Sequence, residues 1–157
     1  MQIKALKHII TKRFTALEKG VKEINKDFDK DAIHAFRVQV KKLRTFLQLQ
    51  DLKLPGKVKK VYAAAGQIRE IQLQLKQIRK AWEDSPEPSG YLSQLEEELT
   101  KRKEFFTRLL EENHFGSSRR KLIKKLPPKL PFNHIGEYLH REITTMLVAV
   151  DAGLSGD

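Results

Sequence analysis

The chain reads as all-α. Apolar residues recur at three- and four-residue spacings through most of its 157 residues, and no stretch shows the period-two alternation of a half-buried strand. The breaks fall at short turn-rich segments such as Pro55–Gly56 and 84–90. The pattern predicts a helical bundle of about five to six helices with at least one long crossover. A single domain is expected over 1–152, with 153–157 as a loose tail.

The first helix is expected from Ile3 to about Phe28, with Ile3, Leu6, Ile10, Leu17, Val21 and Ile24 on one side. Asp29 and Asp31 offer carboxylate caps for a second helix, Ala32 to about Leu52. Pro55–Gly56 breaks it, and a third helix runs from about Lys57 to Trp82. After the 84–90 loop, Ser89 caps a fourth helix, about Tyr91 to Asn113, dense in Glu with Lys and Arg following. Phe115-Gly116-Ser117-Ser118 reads as its end. Arg119 to Lys125 reads as a further turn or two. Pro127, Pro128 and Pro131 make a stiff connector, and Asn133 caps a last helix, about His134 to Ala152.

Composition narrows the function classes. Cysteine is absent, which excludes disulfides, thiolate nucleophiles and Cys-ligated zinc or iron–sulfur sites. No apolar run is long enough to span a membrane as a helix, and Met1 to Lys12 carries Lys and His without an uninterrupted apolar stretch. A cytoplasmic location is the expectation. The net charge of +11 is uneven. Residues 1–82 hold 20 Lys/Arg against 7 Asp/Glu, a balance of +13, while 83–157 hold 11 against 13, a balance of −2. A field of that size draws polyanions.

Helical phase locates the charge. At about 100° per residue, Ile33, Phe36, Val40, Leu43 and Leu47 form the core stripe of the second helix. His34, Arg37, Lys41 and Arg44 lie beside that stripe, at i, i+3, i+7 and i+10. Lys42 points about 80° the other way from His34. The third helix repeats the spacing 35 residues later: Ile68, Ile71, Leu75, Ile78 and Trp82 face the core, and Arg69, Gln72, Lys76 and Arg79 flank it. Antiparallel packing across Pro55–Gly56 would bring both rows to one groove, a cationic strip about 15 Å long. A face serving only solubility usually mixes signs at i, i+4, and neither row contains Asp or Glu.

The segment Ile33-His34-Ala35-Phe36-Arg37-Val38-Gln39-Val40-Lys41-Lys42-Leu43-Arg44 resembles the signature of the CHAD family, the conserved histidine α-helical domain. Ala65-Gly66-Gln67-Ile68-Arg69-Glu70 resembles the family's second element, a glycine followed by an Arg-Asp pair, with Glu70 in place of the Asp. The resemblance implies an all-helical fold of four-helix repeats, and a basic groove that binds inorganic polyphosphate without catalysis. The residues carried over are His34, Arg37, Lys41, Lys42, Arg44 and Arg69. Lys76 and Arg79 join them by helical phase alone. One His-x-x-Arg helix is present where the family has one per repeat, so the chain corresponds to about one repeat. A homodimer that completes the two-repeat architecture is therefore expected.

Polyphosphate has no base edges to read, so recognition must come from Arg forks and Lys point charges on phosphate oxygens. The alternative is a nucleic-acid-binding helical protein using the same strip, although no helix-turn-helix, zinc site or aromatic-studded sheet is evident. An enzyme is not expected: no Walker loop, Gly-x-Ser-x-Gly or His-Glu-x-x-His occurs, and there is no acidic metal cluster. Glu111-x-x-His114 and Glu137-x-x-His140 match the half-motif of di-iron bundles, but the second and third helices offer no clear inward Glu to complete such a site. No cofactor and no metal are expected. Tyr62, Trp82 and Phe105–Phe106 read as core or interface. Arg119-Arg120-Lys121 with Lys124-Lys125 reads as a solvated patch that could extend the groove.

Overall fold

The computed structural model describes residues 3–82, 90–126 and 144. Five helices are present among the described residues, and no strand: α1 (Ile3–Asp27), α2 (Lys30–Gln48), α3 (Gly56–Ala81), α4 (Tyr91–Glu112) and α5 (Phe115–Lys125). The fold class is all-α, as the periodicity predicts. Ser89, the Pro127–Pro131 connector, the helix expected from His134 and the tail lie outside the described residues.

Successive helices pack on one another, α1 on α2, α2 on α3 and α3 on α4, while α5 returns to α1 and also touches α3. The apolar stripes read from the sequence meet in the middle. Ile33, Phe36, Val40, Leu43 and Leu47 are all buried, against Leu6, Ile10, Phe14 and Leu17 of α1 and Val58, Val61 and Ile68 of α3. Each such side chain, fully buried, contributes about 1.5–3 kcal/mol. Gly20 lets the α1 backbone lie close to α2: a Cβ there would sit 3.3 Å from Phe36 Cδ2.

Only Phe28 and Asp29 join α1 to α2. Phe28 turns the chain in the left-handed region, with φ 56°, and its N–H bonds Ile24 O at 2.8 Å. A glycine would take that conformation at no steric cost. Phe28 instead places its ring edge-on to Phe106, with centroids 5.7 Å apart, which ties the turn to α4. Asp29 then caps α2, its carboxylate accepting from Asp31 N at 2.9 Å and Ala32 N at 3.0 Å. The bond from Ala32, with that from Asp31 adding to it, holds the Asp29 carboxyl below its ordinary range.

Two boundaries differ from the sequence expectation. α2 stops at Gln48, not near Leu52, because Asp51 adopts φ 54° and the Leu52 N–H folds back onto Leu47 O at 2.8 Å. That turn delivers Leu54 to the core. α5 begins at Phe115, within the segment read as a terminator. Phe115 packs edge-on to Phe14, with centroids 6.5 Å apart, and Leu122 is buried with it. Tertiary burial outweighs the weak helix propensity of Gly116, Ser117 and Ser118.

Candidate functional site

Helix α2 carries its core stripe on one side and a cationic row along the seam with α3. Residues that meet across this seam rise in number on one helix as they fall on the other, so the pair is antiparallel. Arg69 of α3 reaches Lys30 at the start of α2, and Arg37, two turns on, reaches Tyr62.

The centre of the seam is one aromatic ring holding two guanidiniums. Arg37 Cζ lies 4.3 Å from the Tyr62 ring centroid and Arg44 Cζ 5.4 Å from it. Each stack contributes on the order of 0.5–1 kcal/mol at a partly exposed site. Arg37 Nη1 also donates to Tyr62 O at 3.3 Å. Both arginines are half-buried, while His34 and Lys41 of the same row are exposed. None of the four has an ion-pair partner among the described residues. Beyond the Arg37 bond to Tyr62 O, the fork donors of both guanidiniums have no hydrogen-bond partner among the described residues.

Gly66 makes this seating possible. A Cβ at position 66 would collide with Arg37 Nη1 at the far end of its side chain. The glycine of the Ala65-Gly66-Gln67-Ile68-Arg69-Glu70 segment is thus the seat of the arginine of the α2 segment. Tyr62, Gly66 and Arg69 stand at i, i+4 and i+7 on one stripe of α3, the side facing α2. That spacing was present in the sequence and could have singled out Tyr62 as part of the seam.

The α3 row is used differently. Arg69 Nη1 donates to Lys30 O at 3.1 Å, and Gln72 Nε2 donates to Phe28 O at 2.7 Å. Both therefore brace the α1–α2 turn. Lys30, Asp31, Arg69, Gln72, Leu73 and Lys76 line a cavity of about 200 Å³, so a carboxylate stands among these cations. Arg79 lies farther along α3 and is ion-paired with Glu96 of α4. Lys76 is exposed and without an ion-pair partner among the described residues. Lys42 is exposed on α2, off the seam by phase. The structure thus brings His34, Arg37, Lys41 and Arg44 together with Tyr62, places Arg69 at the start of α2, and sets Arg79 against α4.

Glu111 and His114 are both exposed, and Glu137 and His140 lie outside the described residues. Among the described residues no helix is long and apolar enough to cross a membrane.

A family model described as CHAD domain matches residues 8–152. That span includes α1 from residue 8 on, the whole of α2 to α5, and both sequence elements of the seam. No curated protein matches the chain, and no solved structure does.

Proposed function

The chain belongs to the CHAD domain family, and from that premise we propose that it is a non-catalytic module that binds inorganic polyphosphate through the α2 row. One observation carries this reading: Arg37 and Arg44 are seated on Tyr62 beside Lys41 and His34, with no ion-pair partner among the described residues. The two guanidiniums are held on the ring, and no carboxylate among the described residues neutralises them. A linear phosphate chain offers oxygens along its whole length, so a row at i, i+3, i+7 and i+10 meets successive phosphates. Arg37 and Arg44 supply planar forks, and Lys41 a point charge. His34 opens the row and Arg69 lies beside it at the start of α2, while Lys42, Lys76 and Arg79 stand farther out as additional positive charge. The single His-x-x-Arg helix favours a homodimer in which a second copy completes the groove. A monomer by light scattering across a wide concentration range would remove the dimer from this proposal.

The test is polyphosphate affinity at a series of salt concentrations, with duplex DNA as competitor at matched phosphate. The expected result is a linear fall of log affinity with log salt, with a slope of several units, and displacement of DNA by polyphosphate. A flat salt response, or DNA displacing polyphosphate, would overturn the polyphosphate reading; the second outcome would assign the strip to nucleic acid.

A further inference from the structure

A second cavity, of about 340 Å³, opens where the start of α3 meets α5. Four lysines line it, Lys53 and Lys57 from the α3 side and Lys121 and Lys125 from α5, and no carboxylate does. None of the four is ion-paired among the described residues. Four ammonium groups around one cavity repel one another, a cost that an anion between them would reverse.

The backbone adds to the field. The first hydrogen bond of α3 runs from Lys59 N–H to Pro55 O at 3.0 Å, so the N–H groups of Gly56, Lys57 and Val58 precede it. The N-cap is Pro55, which supplies no side-chain acceptor. The contrast with α2 is direct, since there Asp29 accepts from Asp31 and Ala32, the positions equivalent to Lys57 and Val58. Gly56 and Lys57 line the cavity, so the open end of a 26-residue helix faces the four lysines.

An independent feature comes from the opposite wall. Ser118 lines the cavity, is only 7% exposed, and its hydroxyl has no hydrogen-bond partner among the described residues. The residue is enclosed but its oxygen is not, which leaves the hydroxyl open to a partner from the cavity. Ser118, Lys121 and Lys125 stand at i, i+3 and i+7 on α5, so one face presents a donor hydroxyl in line with two ammonium groups.

We infer that this cavity is a binding site for a single tetrahedral phosphate group, held by the open N–H groups of α3, the Ser118 hydroxyl and the four lysines. It is distinct from the α2 row: there the cations run along one helix, whereas here four of them from two elements converge on one cavity. Two sources share that chemistry, free orthophosphate and the terminal phosphate of a polyphosphate chain.

The test is amide NMR of the full chain titrated with inorganic phosphate at constant ionic strength, with chloride as the comparison anion. Saturable shifts at Gly56 and Lys57 with phosphate and not with chloride are expected. Lys57→Met/Lys121→Met should weaken that binding about tenfold or more. Ser118→Ala, which leaves the charges in place, should weaken it severalfold, and it keeps the question answerable if the double variant does not fold. Arg37→Ala/Lys41→Ala should leave the phosphate shifts unchanged, which separates this site from the polyphosphate reading. Short and long polyphosphate at equal total phosphate distinguish the two sources: shifts that scale with the number of chain ends identify the terminal phosphate, and shifts with orthophosphate alone identify the free ion. Equal response to chloride, or no response at Gly56 and Lys57 to any of these anions, would overturn the inference.

Discussion

Arg37 on α2 and Arg79 on α3 are both arginines beside the core stripe of a long helix, at the i+3 and i+10 places of two rows of identical spacing. Arg37 lies over Tyr62 with no ion-pair partner among the described residues, whereas Arg79 is joined to Glu96. Between these extremes, Arg69 and Gln72 donate to the backbone carbonyls of the α1–α2 turn. Equal spacing therefore does not make equal chemistry. The neighbour across each seam decides, and α2 faces a tyrosine and a glycine where α3 faces a turn at one level and acidic α4 at another.

The largest expected effect breaks the comparison at its strong end. Arg37→Ala/Lys41→Ala lowers the net charge by two, as does Lys12→Ala/Lys19→Ala on the outer face of α1. A diffuse field predicts equal losses of polyphosphate affinity. The seated row predicts that the α2 pair alone loses about 1.5–3 kcal/mol per charge-assisted bond removed. Calorimetric titration of both variants, with circular dichroism to check folding, decides between them; equal losses would defeat the row.

Next in size is a stability effect on the α3 side. Gln72→Ala leaves Phe28 O without its 2.7 Å partner in a turn that already holds Phe28 at positive φ. A loss of about 1–2 kcal/mol is expected in urea unfolding, with polyphosphate affinity per folded molecule little changed. An affinity loss as large as that of the α2 pair would make Gln72 part of the binding surface.

Gly66→Ala sharpens the comparison from a different side. The added methyl displaces the Arg37 guanidinium from its seat, and the side chain, being long, can move aside without disturbing the core. Alanine in a helix interior stabilises by about 0.5–1 kcal/mol over glycine, so thermal stability should hold or rise while polyphosphate affinity falls severalfold. Unchanged affinity would show that the seat on Tyr62 is irrelevant to binding.

The smallest effect is at Arg79. Its pair with Glu96 is exposed on both sides, and such pairs contribute about 0–1 kcal/mol. Arg79→Ala should alter both stability and affinity by less than any variant above, and a loss matching Arg37 would restore the equivalence of the two rows.

Much of the fold was legible because helical periodicity is a local property. The stripe Ile33, Phe36, Val40, Leu43 and Leu47 needs only 3.6 residues per turn, and all five are buried. The start of α5 was not legible, because Phe115 is held by Phe14, 101 residues away in sequence, and nothing near Gly116 announces it. The row His34, Arg37, Lys41 and Arg44 was also readable from phase. What phase could not supply was the partner of each cation. Gln72 meets a carbonyl whose position depends on the left-handed turn at Phe28, and Arg79 meets Glu96 only once α4 has docked. Tyr62 read as core or interface because an isolated aromatic carries no sign of what will lie on its ring.

The return of α5 to α1 has a kinetic consequence. Helices α1 to α4 pack on their sequence neighbours, contacts that close short loops and form early in chains of this kind. The Phe14–Phe115 contact must instead close a loop of about a hundred residues, whose entropic cost is met only once the rest is assembled. Docking of α5 is then the last step of assembly and the first to reverse, a local opening well below the free energy of global unfolding. Hydrogen exchange at Leu122 should accordingly outpace exchange at Val40. The seam carrying Arg37 would persist through such openings, while the lysine-lined cavity, having lost one wall, would come and go with them.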